Sequence, residues 1–211
     1  MGNELIRPID PASARAIEET AKATSNAIAA AVKGGNYVGD VIGDLPRDLV
    51  GLVGDWVKHK RLRRWAELME DTQQILRERG VENREEISPS VAVPLIEAAV
   101  NEDRDGLKQL WARLLAAAMD PRLSTLVRPS LIELLKNLDP LDARVLELQG
   151  QGMAGHGDLA DRITAVLKVE RDDAFYSLEH LYELKCLERS PIDIPVPNLT
   201  AKARLLMRAV A

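Results

Sequence analysis

Aromatic residues are scarce in this 211-residue chain, at 3%. Strands draw on aromatic and β-branched side chains, so a chain whose apolar content rests on Ala and Leu is expected to fold into helices. Cysteine is almost missing too. The single Cys186 excludes an intrachain disulfide and fits a reducing cytoplasm. Long apolar runs are lacking. The longest uncharged run near the start, ATSNAIAAAV at residues 23–32, falls far short of the about 18 apolar residues that span a bilayer. The opening MGNELIRPID has no basic region leading into an apolar stretch, and Ile6 stands where a myristoylation signal wants Ser or Thr. The expectation is a cytoplasmic protein without a signal peptide or transmembrane helix.

Catalytic and metal-binding patterns are absent as well. His59, His156 and His180 do not stand at HExxH spacing, and Cys186 has no CxxC partner. There is no GxSxG and no phosphate-binding P-loop. GQGMAG, Gly150 to Gly155, matches GxGxxG in form. The dinucleotide mechanism needs a strand before it, whereas PLDARVLELQ reads as a helix, so it is a loop. His180, Glu183 and Cys186 share a helix face. That face fits a mixed core and rim better than a reactive thiol. The chain therefore reads as non-enzymatic, with no catalytic residue, metal, cofactor or small-molecule substrate.

What is present is an uneven charge. The net charge is −5, yet WVKHKRLRRW, residues 56–65, contains five cations and no acid. Residues 37–57 hold one Arg and four Asp (net −3), and residues 65–90 hold three basic and seven acidic residues (net −4). Lys58, Lys60, Arg61, Arg63 and Arg64 thus form a basic island between acidic stretches. A duplex-binding domain more often has a broad basic face and a high pI, whereas the pI here is about 5.4. Nucleic acid is disfavoured. The island reads either as a solvated helix face or as a contact for an anionic membrane surface.

Before it, Val38, Val41, Ile42, Leu45, Leu49, Leu52, Val53 and Trp56 recur at the helix period, with Asp40, Asp44, Asp48 and Asp55 opposite. Gly39, Gly43, Gly51 and Gly54 weaken such a helix and read either as close helix packing or as a conditional helix that inserts into a membrane or partner. The acidic polar face speaks against anionic lipid and puts packing ahead. Three regions are expected. Residues 1–36 hold an N-terminal helix from about Pro11 to Val32. Residues 37–137 hold the amphipathic segment and a helical core. Residues 138–211 hold a smaller unit.

Within the core, a helix from about Lys58 to Arg79 should bury Leu62, Trp65, Met69, Thr72 and Leu76 and stop at Gly80. SVAVPLIEAAV, DRDGLKQLWARLLAAAMD, RPSLIELLKNLD and PLDARVLELQ follow as closely spaced helices. DLADRITAVLKV and RDDAFYSLEHLYELKCLE then read as helices. ERSPIDIPVPNLT reads as a proline-punctuated edge hairpin, and Thr200 as the cap of a last helix. Three helices, a small wing and a closing helix resemble a winged helix-turn-helix. The unit holds nine basic and twelve acidic residues (net −3), which suits protein contact better than phosphate. The fold class is mainly α: a helical array with a C-terminal winged-helix-like α+β subdomain.

PSVAVPLIEAAVNEDRDGLKQLWARLLAAAMDP, followed by RPSLIELLKNLDPLDARVLELQ, resembles the abortive infection alpha family of bacteria. GDLPRDLVGLVGDWVKHKRLRRW is similar to that family's glycine–aspartate segment leading into a basic, aromatic helix. The likeness is good over about residues 40–150 and weaker outside them. It implies defence against phage, in which the infected cell stops growing or dies, and it carries no catalytic residue set. Three expectations follow. The first is a defence protein acting at the inner membrane surface through residues 37–64. The second is a sensor or adaptor that binds a protein partner or itself. The third, less favoured, is a DNA-binding regulator.

Overall fold

The structure, a computed structural model, describes residues 60–151, 158–188 and 198–211, with side chains from Arg63 onward. The expected helix at 11–32, the amphipathic segment with Leu45, Leu49, Leu52, Val53 and Trp56, and Lys58 lie outside them. So do the side chains of Lys60, Arg61 and Leu62, most of the expected glycine-rich loop, and residues 189–197 of the expected hairpin.

Among the described residues the fold is mainly helical, with a small C-terminal α+β part. Eight α-helices follow one another: α1 (Lys60–Glu78), α2 (Pro89–Asn101), α3 (Asp105–Met119), α4 (Pro129–Asn137), α5 (Pro140–Gly150), α6 (Leu159–Leu167), α7 (Arg171–Glu183) and α8 (Ala201–Val210). A 3-10 turn, Ser124–Leu126, precedes α4. Between α7 and α8 lies an antiparallel pair, β1 (Leu187–Glu188) and β2 (Asn198–Leu199), with Leu187 opposite Leu199.

α3 is the axis of the molecule. Every residue from Leu114 to Asp120 is buried, the pattern of a helix enclosed on all sides. The run LLAAA makes this possible, because Ala116, Ala117 and Ala118 let neighbouring backbones approach. α1, α2, α5 and α8 all pack on it. α1 contributes the expected stripe as far as it is described: Trp65, Met69, Thr72 and Leu76 are buried, and Leu68 joins them. Thr72 can sit there because its hydroxyl donates to the Leu68 carbonyl at 2.6 Å.

Prolines set the starts of α2, α4 and α5, where the missing N–H is no loss. Thr200 caps α8 by accepting from the Ala203 amide at 3.3 Å. α1 ends in a Schellman turn: Val81 N–H donates to Leu76 O and Gly80 N–H to Arg77 O, with Gly80 at φ +65°. α7 ends the same way, Cys186 N–H to Leu181 O and Lys185 N–H to Tyr182 O, but here Lys185 takes the left-handed place at φ +56°. The sequence gives no glycine signal at this point. The helix expected to run on to Glu188 therefore stops at Glu183, and Leu187 begins a strand.

Candidate functional site

Two short motifs fasten the helical array. Glu102 follows α2 and Asp120 follows α3, and in each case an arginine two residues on folds back over the carboxylate. Arg104 donates from Nε and Nη2 to the two oxygens of Glu102, both at 2.8 Å, and its amide adds a bond at 2.9 Å. Arg122 does the same to Asp120 at 2.9, 2.8 and 3.0 Å. Each guanidinium then reaches the carboxyl end of another helix, where a cation is favoured. Arg104 donates to Leu138 O beyond α4 at 2.8 Å, and Arg122 to Arg79 O beyond α1 at 3.1 Å.

Glu102 is also held by the Trp111 indole at 3.2 Å. Burial by itself pushes the Glu102 carboxyl up, but the hydrogen bonds from Arg104 and Trp111 override it and hold the group at about 2. The Arg122 hydrogen bonds likewise lower Asp120 against the opposing effect of burial. An open groove of about 490 Å³ runs beside the first motif, between Pro94, Glu97, Asn101 and Lys136. Its one strong cation–anion pair, Arg104 with Glu102, is satisfied internally.

A second centre fixes α7. Asp142, on α5, is 1% exposed. Its Oδ1 accepts from Ser177 Oγ at 2.6 Å, and its Oδ2 lies 2.7 Å from His180 Nδ1 and 2.8 Å from the Asp139 amide, which donates to it. An ionised carboxylate can only accept, so Nδ1 carries the proton. Ser, His and Asp are the residue types of a hydrolytic triad, but the arrangement differs. Ser177 and His180 both bond to the aspartate instead of to each other, and Ser177 is buried. Asp139, Asp142 and His180 also bring ligand atoms within 4.8 Å of one another. Both Asp142 oxygens already accept hydrogen bonds there, so the cluster is an anchor between α5 and α7.

The anchor determines what α7 shows to solvent. Ala174, Ser177, Leu178 and Leu181 face inward. On the other side Phe175 is 52% exposed, Tyr176 64% and Tyr182 38%. Asp172, Glu179 and Glu183, at i, i+7 and i+11, form an exposed acidic line between these rings. Tyr176 is held by stacking on His180, with ring centroids 6.3 Å apart. Arg171, at the head of α7, is engaged by Asp158 at 2.6 Å and Asp161 at 2.7 Å. Cys186 lies under the end of this helix, fully buried, and burial pushes its thiol up to about 11.

The basic island is only partly described. Arg63 is exposed and pairs with Glu67 one turn on, at 2.8 Å. Arg64 is half-buried and donates to the backbone carbonyl of Glu102. The backbone of Lys60 and Arg61 forms the first turn of α1. None of these residues meets the α7 anchor in a described hydrogen bond or ion pair. Sequence spacing missed that anchor because its members come from positions 142, 177 and 180. The acid–x–Arg spacing after two apolar helices is visible in NEDRDG and MDPR.

The described chain is a mainly α protein with a small two-stranded part, two acid–arginine fasteners and an exposed acidic, aromatic helix. The family model for abortive infection alpha matches residues 58–201, more than half of the chain, and the chain belongs to that family. Family membership brings with it a role in abortive infection. Comparison with curated proteins and with solved structures gave no match. No described helix is long and apolar enough to cross a membrane.

Proposed function

We propose that this chain is a non-enzymatic, cytoplasmic phage-defence protein that works by binding another protein through its winged-helix-like C-terminal unit, residues 138–211. The observation that carries this is the outward face of α7. A winged helix that reads DNA presents Lys and Arg to phosphate from the corresponding helix. Here that position carries Asp172, Glu179 and Glu183 among three exposed aromatic rings, and its arginine is neutralised by α6. Carboxylates repel a phosphate backbone. Exposed Tyr and Phe are residue types enriched where proteins meet.

The test is a phage challenge of bacteria expressing the chain, at low and high phage-to-cell ratios. Wild type is expected to protect at low ratio, with the culture collapsing at high ratio. Phe175→Ser with Tyr176→Ser should remove protection while the chain stays folded by circular dichroism. Full protection by that variant would reject α7 as the working surface.

A second proposal, action at the anionic inner leaflet through residues 37–64, is favoured by the polybasic run beside an amphipathic stretch. Each cation near such a surface contributes about 1 kcal/mol. Arg64 is already engaged with Glu102 O and Arg63 pairs with Glu67, so this mode rests mainly on Lys58, Lys60 and Arg61, whose side chains lie outside the described residues. Flotation with anionic vesicles at low salt decides it: absence of binding excludes this mode.

A further inference from the structure

We infer that the acidic, aromatic face of α7 docks the basic run Lys58–Arg64 of a second copy of the chain, so that copies join head to tail. This rests on α7 being the binding surface. The argument is complementarity between two surfaces of one sequence. The α7 face offers Asp172, Glu179 and Glu183 between Phe175 and Tyr182 on one side and Tyr176 on the other. A guanidinium or ammonium group is held well by such a surface, by ion pairing to the carboxylates and by the faces of the rings. One of the rings, Tyr176, stacks on a histidine that is bonded to buried Asp142.

The densest positive stretch in the chain is residues 58–64, with five cations and no acid; Arg64 is engaged with Glu102 O, so the contact draws on Lys58, Lys60, Arg61 and the exposed Arg63. α1 packs on α2 and α3, whereas α7 packs on α5 and α6. Arg63 and Arg64, the described end of the basic run, are thus carried by a helix that packs on other elements than α7 does. A contact between unlike surfaces of identical chains is heterologous. It closes into a ring or extends into a filament, and each added copy presents a fresh α7 face.

Analytical ultracentrifugation of the full chain tests this. Wild type is expected to associate at low salt and to dissociate as salt screens the contact. Glu179→Lys with Glu183→Lys should be monomeric, and so should Lys58→Glu with Lys60→Glu and Arg61→Glu. Mixed together, the two variants regain opposite charges across both contacts, and association should return. That rescue also shows that neither variant is misfolded.

A monomeric wild type at low salt, association that ignores both charge reversals, or failure of the mixture to rescue would each overturn the inference. Protection against phage separates this from the broader proposal. Loss of protection in the α7 variant with a monomeric wild type leaves protein binding standing and rejects the second copy as occupant. Unchanged protection alongside charge-dependent self-association keeps the contact and rejects α7 as the working surface.

Discussion

α1 to α4 and α5 to α8 use apolar residues differently. In the first set Val93 is the only exposed large hydrophobic residue among the described positions; in the second Val166, Phe175, Tyr176 and Tyr182 are all exposed. Polar fastening differs in parallel. The first set is tied by arginines that chelate an acid two residues away and then reach a distant helix end. The second is tied by one buried aspartate that gathers donors from positions 35 and 38 residues away. The first arrangement maximises enclosure. The second holds one helix firmly while leaving its far side open, as a surface kept for contact requires.

The sharpest way to break the comparison is to truncate one aromatic side chain in each region. Trp111→Ala removes a fully buried side chain and one of the donors to Glu102. It should lower stability by about 3–5 kcal/mol in urea unfolding. Phe175→Ala, on the open face, should change it by no more than about 0.5 kcal/mol. A similar loss in both would mean that the α7 aromatics are structural.

Acid should separate the regions next. Glu102 is held at about 2, below its ordinary 4.5. Its folded pKa is depressed, so its stabilisation is complete above about pH 4.5 and is lost as pH falls towards 2. Arg104→Ala strands the carboxylate and should cost about 2–3 kcal/mol near neutrality, somewhat below a fully buried pair because Arg104 is partly exposed. The gap between wild type and variant should narrow as pH drops through that window. A gap that stays constant would mean that Arg104 acts by packing and not by charge.

The smallest effect concerns the two Schellman turns. Gly80 takes its left-handed conformation without strain, whereas Lys185 holds φ +56° with a side chain. Lys185→Gly should raise stability by about 0.5–1 kcal/mol, read as a shifted thermal midpoint.

Much of the helical framework is written locally. Pro129 and Pro140 mark helix starts, Gly80 marks an end, Thr200 marks a cap, and the stripe Trp65, Met69, Thr72 and Leu76 is buried as its spacing predicts. The end of α7 was illegible because Lys185 occupies a glycine's place. The Asp142 anchor was illegible for another reason: no local pattern connects an aspartate in a first turn with a serine and histidine more than thirty residues on. Arg64 shows a further limit. Periodicity puts it on the surface, but the helix end at Glu102 offers it a carbonyl, and it becomes half-buried.

Cys186 gives the chain a stopwatch of its own. It is the single thiol in the sequence, fully buried beneath the turn that ends α7, and its ionisation is pushed up to about 11. A thiol reagent can reach it only in the moments when the fold around it opens locally. The rate of labelling under native conditions therefore counts those moments. If engagement of α7 by a partner steadies this part of the fold, the count slows, and one sulfur atom reports binding without any added probe.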